Sequence, residues 1–177
     1  ANEAYEASDL PADSLASAAY LHLTSQHPDT ARRLLERARE QGVPVSFDPG
    51  RRLGTRRYDD LLADVDLLFL NEREAETARA NGTLSSREGA TVIKRGDGGA
   101  TLRRDGEGIT HGGFEVPATD TAGAGDAFAA GFLAAKSEGE PDEEALAVAN
   151  ACGAVAVQSV GARVSPAPLA LVSHLAS

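Results

Sequence analysis

Hydrophobic and polar positions follow two periods along this chain, and each switch between them marks an element. Tyr20-Leu21-His22-Leu23 alternates with period two and predicts a short strand, in which His22 reads as a core or edge histidine rather than a ligand. From Asp29-Thr30 the period becomes helical: Leu34, Leu35 and Ala38 share one face, and Arg32, Arg33, Arg37 and Arg39 make a solvated one. Gly42 ends that helix, and residues 43–47 form the next strand. A helix over 58–63, a strand over 66–70, a helix set off by Asn71-Glu72-Arg73-Glu74 and a strand over 90–93 follow. Two short runs around Asp105-Gly106 predict a hairpin. Phe114-Glu115-Val116 leads into a glycine-containing loop, after which come two helices, one following Gly125 and one over 142–157. Residues 1–18 are polar and acidic without a strong period, and read as an arm or the remains of a preceding segment. The strand–helix–strand alternation implies parallel strands with helices on both faces.

Composition narrows the partners. The 177 residues suffice for one domain with a real core. A net charge of −10 argues against nucleic acid or an anionic membrane surface as partner. The basic residues are nearly all arginine, Lys94 and Lys136 being the two lysines, which with abundant Asp, Glu and Ala suits a salt-adapted or a GC-rich source. A lone cysteine, Cys152, lies in a small-residue helical run and reads as a buried structural thiol; it forbids an internal disulfide and fits a reducing compartment. With no signal-like start and no apolar run of membrane-spanning length, the expected location is cytoplasmic.

The chemistry concentrates in Asp120-Thr121-Ala122-Gly123-Ala124-Gly125-Asp126, which runs into Ala127-Phe128-Ala129-Ala130-Gly131-Phe132. Phe128 and Phe132 fall on one helical face. Gly123 and Gly125 allow close approach to the backbone, and the first helical turn offers unpaired N–H groups at the positive end of the dipole. That is an anion site, typically for phosphate. Asp126 at the same mouth could accept the proton of a hydroxyl attacking phosphorus. A glycine turn that merely caps a helix is the competing reading. The motif is not a Walker loop, which needs Lys-Ser or Lys-Thr after the second glycine, nor a dinucleotide fingerprint, because Phe128 occupies the third small position.

The seven-residue run closely resembles the C-terminal signature of the ribokinase-like, or phosphofructokinase-B type, carbohydrate kinases. The resemblance covers roughly residues 20–166. It implies a three-layer αβα sandwich with a mostly parallel central sheet, here a single domain over 1–177 that is incomplete on its N-terminal side. The lid strands and most sugar contacts of the family belong to that missing part. It implies transfer of the ATP γ-phosphoryl group to a hydroxyl of a sugar or sugar acid. Asp126 would be the base, and Gly123, Ala124 and Gly125, with the Asp126 amide, the anion hole. The nearest flavours are 2-keto-3-deoxygluconate kinase and fructokinase. A nucleoside kinase, or a nucleotide-binding fragment without catalysis, remains as an alternative.

Further positions match the family after other strands. Asn71 and Glu74 read by themselves as a capping box; the resemblance adds a role for Glu74 in ordering Mg²⁺ through water. Lys94 with Gly96, Gly98 and Gly99 matches the nucleotide-side loop, although a surface lysine in a hairpin turn fits equally. Asn150 matches a position near the adenine. Asp48 and Arg52 match substrate contacts, with Gly50 where relatives carry Asn, and a solvated arginine competes with a carboxylate-binding one. Some relatives bind a monovalent cation such as K⁺, and the matching positions here are Asp120, the Ala122 backbone, Ala156, Gly161 and Ser165. The expected partners are thus ATP and a small sugar or sugar acid, with no nucleic acid and no membrane, and a homodimer as the assembly to test.

Overall fold

The computed structural model describes residues 7–85 and 87–161. The chain, read as one domain from its sequence, divides by its contacts into two compact units, Ala1–Ile93 with Arg104–Gly106 and Lys94–Arg103 with Glu107–Ser177.

In the first unit, strands β1 (Leu21–Thr24), β2 (Val45–Asp48), β3 (Leu67–Asn71) and β4 (Ala90–Lys94, whose last residue falls at the unit boundary) lie side by side in chain order. The first pairings are parallel, with Leu23 opposite Phe47 and Phe47 opposite Leu68. All four residues of β2 are buried, as expected of a strand covered on both faces. Helix α1 (Pro28–Glu40) starts one residue before the predicted Asp29, because proline suits the first helical position and His27 caps the turn by accepting the Asp29 N–H. It ends as predicted at Gly42, whose φ of +68° lets its N–H reach the Arg39 carbonyl at 3.0 Å while Val43 N–H reaches that of Ala38 at 2.9 Å. The arginines of α1, expected to be a solvated face, are more engaged than that. Arg32 pairs with Asp64, Arg39 donates to the Asp64 carbonyl, and Arg37 donates to the carbonyls of Leu10 and Pro11. Long guanidinium arms reach backbone oxygens that periodicity cannot foresee. The last pair of bonds ties down part of the stretch read as an arm: Leu15 is buried there in the core formed with Leu34, Leu35, Phe47 and Leu68. Helices α2 (Asp59–Asp64) and α3 (Glu72–Ala80) complete this unit.

Strands β5 (Ala100–Arg104) and β6 (Glu107–His111), which belong to the second unit apart from Arg104 and the turn residues Asp105 and Gly106, form the predicted hairpin. Asp105 and Gly106 both take positive φ, +53° and +84°, as a two-residue turn of this hand requires. Thr101 and Thr110 join their hydroxyls at 2.9 Å. Helices α4 (Ala124–Ser137) and α5 (Asp142–Ala156) make a tight antiparallel pair. A side chain at Gly131 would come within 2.7 Å of the Cys152 sulfur, so glycine sets the closeness of the two axes. Lys136 locks the connection, 2.9 Å from Asp142 and donating to the Glu140 carbonyl. Phe132 and Leu146 are fully buried between the pair and its surroundings. Among the described residues, no helix is long and apolar enough to cross a membrane.

Candidate active site

The second unit contains a cavity of about 370 Å³, lined entirely from residues 94–157. One end is built on the start of α4. Gly123 is the N-cap residue with φ +79°, a left-handed value that glycine adopts without strain. Ala124, Gly125 and Asp126 are therefore the first three helical residues. The Ala124 N–H makes a long bond of 3.3 Å to the Thr121 carbonyl. Gly125 and Asp126 have no carbonyl four residues back to pair with inside the helix, and their N–H groups form the anion-accepting end of the dipole. Lys94, at the end of β4, aims its ammonium at this turn: a β-carbon on Gly125 would lie 3.2 Å from Lys94 Nζ. A cation, two backbone donors and a helix N-terminus thus converge on one wall, which is the chemistry of a phosphate cradle. Asp126 is exposed beside it.

The opposite wall comes from loops and α5. Residues Gly96–Gly98 form one 3₁₀ turn, closed by Arg95, whose N–H donates to the Gly99 carbonyl at 2.8 Å and whose guanidinium donates to the Thr101 hydroxyl. Gly99, with φ +82°, passes so near the following loop that a β-carbon would stand 2.1 Å from the His111 carbonyl oxygen. Gly113 has the reciprocal constraint, 2.1 Å from the Asp97 carbonyl. These two glycines let the 96–99 loop and the 111–113 loop cross in contact. Beyond the crossing, Phe114, Val116 and Ala118 line the cavity, and α5 contributes Asn150, Gly153, Ala154 and Val157. Asn150 is buried, its amide nitrogen 3.3 Å from the Gly112 carbonyl and 3.1 Å from His111 Nδ1.

Of the expected nucleotide-side residues in this unit, Lys94, Gly96, Gly99, Ala124, Gly125 and Asn150 line the cavity; Gly98 completes the turn beside it. Asp120 holds the loop before α4. Its Oδ1 accepts the Ala122 N–H and its Oδ2 the Gly161 N–H, each at 2.9 Å, and these bonds draw its carboxyl below the usual range. Ala156 is buried at the end of α5, and Ser165 lies outside the described residues. Sequence reasoning missed Phe114, Val116 and Ala118, which fall at every second position, as one face of an extended segment does. It also missed Gly153, Ala154 and Val157, which follow Asn150 at helical spacing; both spacings were signals. Phe128, expected only to bury a helix face, lines the cavity as well.

In the first unit, Asn71 and Glu74 form a complete capping box: Asn71 Oδ1 accepts the Glu74 N–H and Glu74 Oε2 accepts the Asn71 N–H, both at 2.9 Å. Glu74 is buried at 8% exposure. Asp48 is buried too and accepts the Gly50 N–H at 3.0 Å. Gly50 has φ +55°, a left-handed value that glycine adopts without strain, and a β-carbon there would stand 2.8 Å from the Ser25 hydroxyl. Arg52 is exposed. Among the described residues no three His, Cys, Asp or Glu side chains converge as a metal cluster. A magnesium ion that keeps its waters and bridges to phosphates needs only one or two carboxylates.

Comparison with known proteins matches residues 1–169 to the family described as pfkB family carbohydrate kinase. The chain belongs to that family. Among curated relatives of this kinase family, the ATP-dependent ribose-1-phosphate kinase of Halopiger xanaduensis is 43% identical over 180 residues, which take in 98% of this chain and 60% of the relative. Among solved structures, the ribokinase of Thermotoga maritima superposes with a TM-score of 0.82 at 27% identity, over 99% of this chain and 62% of its own. The ribokinase of Arabidopsis thaliana, complexed with ribose and ATP, superposes with a TM-score of 0.81 at 26% identity, over 93% of this chain and 58% of its own. The fold is therefore the ribokinase-like α/β fold, and the chain spans about 60% of the length of each of these three relatives.

Proposed function

We propose that this chain carries the nucleotide-binding and proton-accepting part of an ATP-dependent kinase acting on a hydroxyl of a sugar, a sugar acid or a phosphorylated ribose. The observation that carries this is the convergence of Lys94 on the first turn of α4, next to Gly125 and beside Asp126. Lys94 and the amides of Gly125 and Asp126 hold and neutralise the transferring phosphoryl group, and preorganised donors of this kind act most strongly where charge develops. The acceptor oxygen forms its bond to the γ-phosphorus as the bond to the β–γ bridging oxygen breaks, with ADP leaving. Asp126 takes the proton released by the hydroxyl. When bound, Mg²⁺ would draw charge from the phosphate oxygens, and Glu74 is the residue that would order it through water. Asp120, the Ala122 backbone, Ala156, Gly161 and Ser165 would serve a monovalent cation, and Asp48 and Arg52 the acceptor. A cytoplasmic setting goes with this reading.

Phosphorylated ribose enters because of the 43% identical relative, whose name specifies ribose 1-phosphate. The deciding experiment is an ADP-release screen over ribose, ribose 1-phosphate, fructose, 2-keto-3-deoxygluconate and adenosine, with and without KCl, on this chain and on it extended at its N-terminus. Release driven by one acceptor and abolished without Mg²⁺ is expected from the catalytic form; no acceptor-dependent release from either would overturn the kinase reading. The second reading is a nucleotide-binding body without catalysis. It is favoured by a cavity whose whole lining falls within residues 94–157. Magnesium-ATP binding by calorimetry, in the absence of turnover, distinguishes it.

A further inference from the structure

A second cavity, of about 410 Å³, opens in the first unit, and none of the residues assigned above to the kinase reaction lines it. It lies between the segment joining the 3₁₀ turn Gly50–Gly54 to α2 and the chain that leaves α3. The protein has 27 acidic and 17 basic residues, yet residues 51–57 hold four arginines and no acid. Two of those arginines, Arg56 and Arg57, line the cavity, and among its described lining residues there is no carboxylate. Asn81 and the buried Thr83 add an amide and a hydroxyl to the opposite side.

The arginines stand on a pinned loop. The N–H groups of Thr55 and Arg56 both donate to the Arg52 carbonyl, at 3.0 and 2.9 Å. Tyr58 is 2% exposed, donates its hydroxyl to the Gln26 carbonyl at 2.8 Å and sets its ring edge-on against Phe47. Burial pushes its phenol up against the opposing pull of Arg56 and Arg52, so it stays neutral and a donor. Arg56 is half-buried and donates to the Ser25 carbonyl at 3.1 Å, which holds its guanidinium at the cavity wall. Carbonyls at the end of α3 would oppose an anion. Those of Thr77 and Arg79 already accept the Asn81 and Gly82 N–H groups, at 3.1 and 3.0 Å.

We infer that this cavity is an anion site apart from the α4 turn, and that it takes a phosphate group, free or carried on a small ester. Planar guanidinium forks match phosphate oxygens, and a cavity of this size admits the group with several further atoms. Arg56 and Arg57 supply the charge that meets it, and the Asn81 amide supplies a neutral donor. The inference does not depend on the kinase reading, whose anion-accepting turn belongs to the second unit.

The test is a titration of the ¹⁵N-labelled chain with sodium phosphate, with glycerol 3-phosphate and, at matched ionic strength, with sodium chloride. Amide resonances of residues 54–58 and 81–83 should shift together and saturate, half-way at about 1 mM phosphate. Chloride should leave them in place. Equal saturation by inorganic phosphate and the ester assigns the phosphate group alone as ligand, and tighter saturation by the ester assigns the ester; either supports the site. Arg57 is exposed, so Arg57→Gln should fold, and it should raise the half-saturation concentration about tenfold. Any response at residues 123–126 should stay as it was. No shift at 54–58 and 81–83 up to ~50 mM phosphate, or an equal shift with chloride, overturns the inference. An unchanged titration in folded Arg57→Gln protein overturns it as well.

Discussion

The Lys94 ammonium stands 3.2 Å from where a β-carbon of Gly125 would lie. The side chain can therefore lean over the first turn of α4 because position 125 carries none. Alanine is the better helix former by up to about 1 kcal/mol, so Gly125→Ala should leave stability unchanged or raise it. The same methyl pushes the ammonium aside by a few tenths of an ångström and should weaken magnesium-ATP binding by about three- to tenfold. Thermal melts and calorimetry on one variant would then move in opposite directions. Unaltered affinity would remove Lys94 from the phosphate site.

Asp126 follows as the next residue of that turn. Asp126→Asn keeps the size and the helix start but cannot accept the proton, so a turning-over form of the protein should lose ~10²-fold or more in turnover. Nucleotide affinity should stay nearly constant. Near-normal turnover at saturating substrate would mean that another group is the base.

Glu74 has two separable roles. Its capping bond needs an acceptor oxygen, which glutamine also supplies, whereas ordering a cation needs the charge. Glu74→Gln should leave the melting temperature within a degree or two, while the magnesium concentration for half-maximal ATP binding rises about tenfold or more. Asn71→Ala should instead cost about 1 kcal/mol of stability. A large drop in stability with Glu74→Gln, and no change in magnesium dependence, would leave the carboxylate as a cap alone.

Asp120 links acidity to the loop before α4. The N–H groups of Ala122 and Gly161 favour its ionised form and lower its pKa. A carboxyl depressed by folding contributes stability that is present above the unfolded pKa and lost as pH falls through the folded one. Thermal melts between pH 6 and pH 2.5, compared with Asp120→Asn, should show the variant losing less stability on acidification. Parallel curves would show that these bonds do not hold the loop.

The acidic surface gives a salt prediction. With 27 acidic and 17 basic residues, self-repulsion should relax as salt shortens the Debye length below its value of about 10 Å at 0.1 M. The melting temperature should rise with KCl into the molar range. A flat or falling curve would leave the composition without a role in salt tolerance.

Local rules made much of this legible in the sequence. The Asn71–Glu74 box, the Gly42 stop and the Asp105-Gly106 turn depend on residues within a few positions of each other, and each formed as its chemistry required. The start of α4 was legible too, because two glycines around an alanine leave the backbone few other courses. What escaped was decided by residues far apart in the chain. Nothing near Gly99 announces that the His111 carbonyl will lie against it, and nothing near Leu15 announces the hydrophobic cluster that takes it in. The residues from Gly112 to Gly123 have no regular element, so the cavity wall they form with Phe114 and Val116 follows from contacts across the unit rather than from periodicity alone.

The glycine at 131, pressed against Cys152, has a consequence for what the cavity can measure. The turn that carries Gly125 belongs to α4 and the wall that carries Asn150 to α5, so the interval between these two is set by two helices clamped at close range. The pair works as a gauge of fixed span, against which any ligand reaching from one wall to the other must match its own length. Heat that frays the surrounding turns should leave that span intact. Ligand selectivity should therefore hold almost to the temperature at which the rods part, and then vanish at once.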